Sequence, residues 1–149
     1  MANRSPRPNL HLSSTDDLRK PQRVLVSTGD LQDLVQLDRS AVMGGLAINV
    51  SGFRLESGTA PDRVNWQVFA SSYCDVDDEP LVSGTTFLKG GLGVNRQGLL
   101  FEVRRQAVTY FLKGYCEGPS AGVVSFSISF FPLPQETAWP PVIAGTVIG

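Results

Sequence analysis

The sequence contains few of the residues on which most enzyme and metal sites depend. Only one of its 149 residues is histidine, His11, and only two are cysteine, Cys74 and Cys116. His11 lies in a polar segment outside the expected core, so a Ser-His-Asp or Cys-His mechanism would have no positioned imidazole. The C-x-x-C and H-x-x-x-H spacings of zinc sites are also missing. We therefore expect a protein that is not an enzyme and that holds no cofactor or metal.

Long apolar segments are missing as well. No stretch of about twenty consecutive apolar residues is present to span a bilayer, and the opening MANRSPRPNLHL has no apolar run typical of a signal peptide. The sequence thus predicts no membrane association. Cys74 and Cys116 both lie at the ends of predicted strands and could pair across a sheet, but a cytoplasmic context favours two reduced thiols.

Charged residues are also scarce, at 18% of the chain, and the formal net charge is −1. The first 23 residues hold five basic side chains against two aspartates, which gives them a net charge of +3. Affinity for nucleic acid grows with the number of phosphates neutralised, and several contacts are normally needed. The weak charge of this segment argues against nucleic-acid binding.

Glycine, proline and apolar residues are what the chain has in quantity. Fifteen glycines, ten prolines and a hydrophobic content of 42% indicate one globular domain with many turns and few exposed helices. This composition is typical of an all-β protein.

Alternation of apolar and polar residues supports that class. It is clearest in residues 124–130, where four large apolar side chains alternate with three serines. Residues 99–103, 108–112 and 65–73 show the same period, and the first two are spaced like a hairpin. Residues 23–27 and 85–88 are further candidate strands. Residues 46–55 predict a strand with a bulge at Gly52, where the alternation changes phase.

One segment is ambiguous. Residues 30–42 contain Leu31, Leu34, Val35 and Leu37, a spacing that fits a short helix capped by Asp30 about as well as a strand. With turn signals between the strands, the sequence predicts an antiparallel β-sandwich of roughly seven or eight strands.

Three other motifs have weak functional interpretations. The acidic run 74–79 could gather oxygen ligands around calcium, but a solvated turn is favoured because charge runs usually face water. The glycine-rich run 89–95 does not complete a phosphate-binding motif, which favours a flexible loop. Glu56, Asp62, Glu102 and Glu117 could supply paired carboxylates for glycoside hydrolysis, although the sequence gives no reason to choose among them.

The two ends differ from the body. We divide the chain into an extended N-terminal arm, 1–22, a β-sandwich domain, 23–131, and a proline-rich apolar tail, 132–149. Prolines at 132, 134, 140 and 141 prevent the tail from forming its own helix, so its apolar side chains need a partner surface as cover. The residues expected to contact that partner are Pro6, Pro8, Leu10, Leu12, Trp139, Pro140, Pro141, Val142, Ile143, Val147 and Ile148.

The amphipathic final strand 122–131, the arm and the tail together resemble viral jelly-roll proteins and phage capsid-decoration (cement) proteins. These are small β-sandwiches whose extended arms lock neighbouring subunits. The resemblance implies a jelly-roll-like sandwich in a virion structural protein that is assembled in the host cytoplasm, forms a homo-oligomer and binds other capsid or virion subunits. It implies no catalytic residue. The weak arm charge departs from a subunit that encloses a genome, which favours an auxiliary decoration role.

A second interpretation is a carbohydrate-binding sandwich, such as a virion receptor-binding domain. Exposed aromatic side chains would carry that recognition, with Trp66, Tyr73, Tyr110 and Tyr115 as the candidates. Because such residues more often fill a core or a sheet edge, the sequence favours the structural role over this one.

Overall fold

The computed structural model describes residues 8–13, 16–38, 45–71, 79–88, 97–103 and 109–133. Within these ranges the chain forms nine β-strands and no helix, so no described helix could cross a membrane. The strands are β1 (Leu10–Leu12), β2 (Gln22–Ser27), β3 (Gln32–Asp38), β4 (Gly45–Gly58), β5 (Arg63–Ser71), β6 (Val82–Phe87), β7 (Gln97–Val103), β8 (Thr109–Glu117) and β9 (Gly122–Leu133).

The strands form two sheets packed as a sandwich. One sheet has five strands in the order β1-β3-β8-β5-β6, and the other has four in the order β2-β9-β4-β7. All pairs are antiparallel except β1 with β3. The all-β, antiparallel sandwich is therefore confirmed, with nine strands rather than seven or eight.

The pairing is nested. β2 pairs with β9, β3 with β8, β4 with β7, and β5 with β6. Between β2 and β9 the chain changes sheet at every connection except the one from β5 to β6. The predicted hairpin of 99–103 with 108–112 is wrong, because β7 lies in the four-stranded sheet beside β4 while β8 lies in the five-stranded sheet between β3 and β5.

Alternation along the central strands places one set of side chains between the sheets. In β5 and β8, every second residue is buried and the others are half-exposed on the outer face. Apolar side chains from both sheets meet in one core, where Trp66 packs edge-on against Phe126 with ring centroids 5.1 Å apart. Phe53 stacks on Phe126 at 5.5 Å. Aromatic contacts of this kind add to the stabilisation from buried area.

Trp66 lies opposite glycine on both neighbouring strands, and the glycine on β8 makes room for its indole. Its register partners are Gly84 on β6 and Gly114 on β8. A Cβ atom at Gly114 would lie 2.8 Å from the backbone oxygen of Asn65 and 3.3 Å from the indole. The indole nitrogen donates to the Thr86 hydroxyl at 2.9 Å, so its polar group is satisfied within the domain.

Bulges account for the two irregular sequence patterns. Gly52 has a φ of 61°, and the β4–β9 register shifts between Ser51 and Arg54, which confirms the predicted bulge. In β3 the register with β8 shifts between Asp33 and Val35. This shift leaves the consecutive residues Leu34 and Val35 both buried, which produced a helix-like spacing in what is a strand.

Part of the predicted N-terminal arm packs on the sandwich. β1 pairs with β3, Leu10 packs against the core, and Leu12 and Leu18 are buried within it. The first two residues of the predicted tail, 132–133, continue β9 beside β4. The remainder of the arm before residue 8, and of the tail after residue 133, lies outside the described residues.

Candidate functional site

Three connections meet at one end of the sandwich. They lead from β2 to β3, from β4 to β5 and from β8 to β9. The Thr28 amide donates to the Gly122 carbonyl and the Gly122 amide donates to the Thr28 hydroxyl, both at 3.0 Å. The Thr59 amide donates to the Ala121 carbonyl at 2.9 Å. These bonds hold the three connections to one another, so this end of the domain is preorganised.

A cleft of about 560 Å³ opens at this end. That volume falls within the roughly 300–1,000 Å³ of typical small-molecule sites. The lining residues are Thr28, Gly29, Asp62, Arg63, Tyr115, Cys116, Glu117, Gly118 and Pro119.

The polar groups of the cleft lie where β5 begins and β8 ends. Arg63 and Glu117 are register partners on these adjacent strands, and both project to the outer face. The Asp62 amide donates to the Glu117 carbonyl at 2.8 Å, which fixes the approach to β5. A Cβ at Gly118 would lie 2.9 Å from the Cα of Pro61, so the close approach of the two connections requires glycine there.

Glu117 is held by two donors. Arg63 Nε donates to Glu117 Oε1 at 2.9 Å, and Asn65 Nδ2 donates to the same oxygen at 2.5 Å. The Thr85 hydroxyl in turn donates to Asn65 Oδ1 at 2.9 Å. The hydrogen bond from Arg63, then that from Asn65, lowers the pKa of Glu117, and the carboxylate raises the pKa of Arg63. Glu117 therefore stays ionised and is unsuited to act as a general acid.

Some other polar side-chain groups of the cleft form no hydrogen bond within the described part of the chain, although Asp62 and Tyr115 interact electrostatically with Arg63. Among the described residues, nothing hydrogen-bonds to the Asp62 carboxylate, the Tyr115 hydroxyl or the two terminal nitrogens of Arg63. The Arg63 and Glu117 side chains are 42% and 43% exposed. The cleft thus presents one guanidinium edge, two carboxylates and a phenol to solvent.

Cys116 lies behind the cleft and faces the core. Its free thiol is buried, and Sγ lies 3.8 Å from the Val26 carbonyl. Burial raises the pKa of Cys116 to about 11. A nucleophilic cysteine needs a lowered pKa and access, so Cys116 is a packing residue. Cys74 lies outside the described residues.

The four aromatic candidates separate into distinct environments. Trp66 and Tyr110 are buried in the core, which is one of the two environments expected for such side chains from the sequence. Tyr115 lies on the outer face and lines the cleft. Tyr73 lies outside the described residues, as do the glycine-rich run 89–95 and most of the acidic run 74–79. Of the three candidates that lie within the described residues, Tyr115 is the one placed on the outer face, where it can contact a ligand.

A second polar cluster covers the outer face of the four-stranded sheet. Arg23 on β2 donates to the Gly52 carbonyl at 2.5 Å and to the Ser125 and Ser127 hydroxyls at 3.0 and 3.1 Å. Ser125 donates to Glu56 Oε2 at 2.5 Å. Burial, then the nearby Arg54, lowers the pKa of Arg23, which Glu56 opposes. The cluster joins β2, β9 and the β4 bulge, and it therefore holds these three elements together.

A third polar group ties β1 to the sheet. His11 Nε2 lies 2.5 Å from Asp38 Oδ2, and Gln36 donates to Asp38 Oδ1 at 3.1 Å. Burial alone would raise the pKa of Asp38, but the bonds from His11, Gln36 and Thr109 together lower it. Within the described ranges, no group of three or more histidine, cysteine or acidic side chains is placed to hold a metal ion.

The expected partner contacts are only partly described. Leu12 is covered by its own domain, Leu10 is half-buried against the core and Pro8 is half-buried ahead of β1. Pro6 and the seven tail residues from Trp139 to Ile148 lie outside the described residues. Large apolar side chains that are exposed in the described part are Leu25, Leu31, Leu55 and Phe87, the last at 69%.

Comparison of the sequence with models of known protein families found no match. Comparison with curated proteins likewise found none. Functional interpretation therefore depends on the fold, the cleft and the chain ends.

Proposed function

We propose that the sandwich is a jelly roll and that the chain is a structural protein of a virion, an auxiliary subunit of decoration or cement type. The observation that carries this proposal is the nested strand pairing. Four antiparallel pairs, β2–β9, β3–β8, β4–β7 and β5–β6, form one ribbon whose successive pairs alternate between sheets. Such nested pairing is the kind expected of a jelly roll, an architecture that viral capsid domains use repeatedly, and it supports the proposal.

The apolar tail supplies the means of association. β9, a paired strand of the four-stranded sheet, continues to Leu133, the last residue that the structure describes. Beyond it, Trp139, Val142, Ile143, Val147 and Ile148 follow within 15 residues, with no charged residue after Glu136. Covering each such side chain contributes roughly 1.5–3 kcal/mol, which favours docking on a neighbouring subunit.

One edge of the sandwich supports the same proposal. β6 is the last strand of the five-stranded sheet, and its sequence VSGTTF contains no charged residue or proline. Edges that are meant to stay unpaired usually carry such residues. Phe87 adds an exposed apolar side chain at the end of this strand. The edge therefore offers a second contact for another copy of the chain.

Deleting Trp139–Gly149 tests the proposal. We expect the full chain to sediment as a multi-subunit assembly, and the truncated chain to sediment as a monomer with an unchanged circular dichroism spectrum and melting temperature. The matched control replaces Gln135 and Thr137, polar residues of the same tail, with alanine, and should still assemble.

Two results would contradict the proposal. One is a full chain that is monomeric at every concentration tested. The other is a truncated chain that fails to fold, because the tail would then belong to the domain's own core.

A further inference from the structure

The cleft at the end of the sandwich has the properties of a binding site that the proposed structural role does not use. It combines a volume of about 560 Å³ with connections that are hydrogen-bonded to one another before any ligand arrives. Two of its polar groups, Arg63 and Glu117, are fixed by strand register, since they are paired residues of adjacent strands. Preorganised groups lose little conformational entropy on binding.

The free hydrogen-bonding groups define the ligand chemistry. Arg63 retains two nitrogens that can donate, while Asp62 and the second oxygen of Glu117 can accept. The Tyr115 hydroxyl can do either. The cleft holds two carboxylates and one guanidinium, and Arg63 is already paired with Glu117, so an anionic ligand is disfavoured. A neutral ligand with several adjacent hydroxyl groups matches because each hydroxyl both donates and accepts.

The aromatic group at the cleft completes this match. Tyr115 is half-exposed on the outer face, in register with Asn65 on the next strand. A ring in this position can pack on the apolar C–H face of a pyranose while the planar groups around it bond the hydroxyls. Asn65 is fixed by Thr85 and Glu117, so the group beside the ring is already oriented.

We propose that this cleft binds a neutral saccharide, with Tyr115 packing on a sugar ring and Asp62, Arg63 and Glu117 bonding its hydroxyl groups. Of the aromatic candidates that the structure describes, Tyr115 is the one that lines this cleft. The proposal is independent of assembly, because the cleft is built entirely within one chain.

The test uses the full chain and saturation-transfer NMR, followed by isothermal titration calorimetry of any ligand found. The probes are the methyl glycosides of glucose, galactose, mannose, fucose and N-acetylglucosamine together with lactose and maltose. Sialyllactose and a sulfated heparin disaccharide form the anionic arm. We expect at least one neutral saccharide to bind, and the anionic probes to bind no more tightly than their neutral counterparts.

Variants locate the binding. Tyr115→Ala and Asp62→Asn should each weaken the affinity at least tenfold, and Tyr115→Phe should retain the ring contact and lose less than Tyr115→Ala. The matched control is Gln67→Ala, which removes a polar side chain from the same outer face of β5 outside the cleft. Its affinity should equal that of the unchanged protein, and all variants should keep the same melting temperature and sedimentation.

The proposal is overturned if no neutral saccharide in the panel binds, if only the anionic probes bind, or if Tyr115→Ala and Asp62→Asn bind as tightly as the unchanged protein. Each of these outcomes leaves the assembly measurement unaffected, so failure of the binding site is distinguishable from failure of the structural role.

Discussion

At the scale of single residues, position within the sheet decides what each side chain can do. Cys116 and Glu117 are neighbours in sequence, yet one faces the core and the other faces the cleft. Burial keeps the Cys116 thiol neutral. Two donors on the neighbouring strand β5, Arg63 and Asn65, keep the Glu117 carboxylate charged. The same alternation separates Trp66 and Tyr110, which fill the core, from Tyr115, which reaches solvent.

Cys116 gives a pH-dependent prediction. Its folded pKa of about 11 lies above the roughly 8.5 of an unfolded thiol. The stability that this group contributes is therefore complete below about pH 8.5 and is lost as the pH rises towards 11. In a Cys74→Ser variant, Cys116 should not react with a thiol reagent at pH 8 until denaturant is added.

The control for this prediction is the further substitution Cys116→Ala. Its stability, measured by urea unfolding, should fall less between pH 8.5 and 11 than that of the parent, because no thiol ionises on unfolding. Rapid modification of native Cys116 at pH 8 would show that the thiol is accessible and the inward placement is wrong.

At the scale of elements, bulges and glycines set the packing of the strands. The bulge in β3 turned a strand into a helix-like pattern, and the bulge at Gly52 shifted the apolar phase of β4. Gly114 provides the space beside β8 in which the Trp66 indole lies, because a Cβ there would come within 3.3 Å of the ring.

Substituting Gly114 tests this arrangement. In Gly114→Ala the new methyl group would collide with the Asn65 carbonyl, Leu34 and the indole, so we expect a loss of about 1–3 kcal/mol in the free energy of unfolding. Gly98→Ala, in β7, is the matched control, because a Cβ there meets nothing within 4 Å. Chemical denaturation of both variants measures the difference, and equal stabilities would contradict the packing around Trp66.

The sequence predicted the strands better than their partners. Seven of the nine strands in the described residues were predicted, five of them and the Gly52 bulge from alternation, because burial of one sheet face has a period of two. Alternation could not identify the partner of β7. Two strands that follow each other closely in sequence suggest a hairpin, but in the fold β7 and β8 lie in different sheets. The three-residue strand β1 was too short to be distinguished from an extended arm.

The residues of the cleft were harder to predict from the sequence than the strands were. Asp62 and Glu117 are two of four carboxylates that the sequence does not distinguish from one another, and the sequence gives no reason to single out Arg63. Their only local signal is that each lies where a predicted strand meets a turn. Their convergence depends on the antiparallel register of β5 with β8, and this register cannot be read from a single sequence.

At the scale of the whole molecule, the nested sandwich and the apolar tail have different proposed roles. Within the described residues, the sandwich buries one apolar core that includes Leu12 and Leu18 from the predicted arm. The tail carries apolar side chains that gain most when another subunit covers them. The cleft lies at the end of the sandwich where β9 begins, whereas the described part of the tail lies where β9 ends.

Burial of Trp139 on assembly is the most direct test of the structural role. The chain has only two tryptophans, and Trp66 is buried in the core, so it serves as an internal reference for acrylamide quenching of fluorescence. We predict that the assembled fraction protects both tryptophans, whereas the dissociated monomer exposes Trp139 to the quencher. Equal quenching of Trp139 in the assembled and monomeric fractions would contradict docking of the tail on a neighbouring subunit.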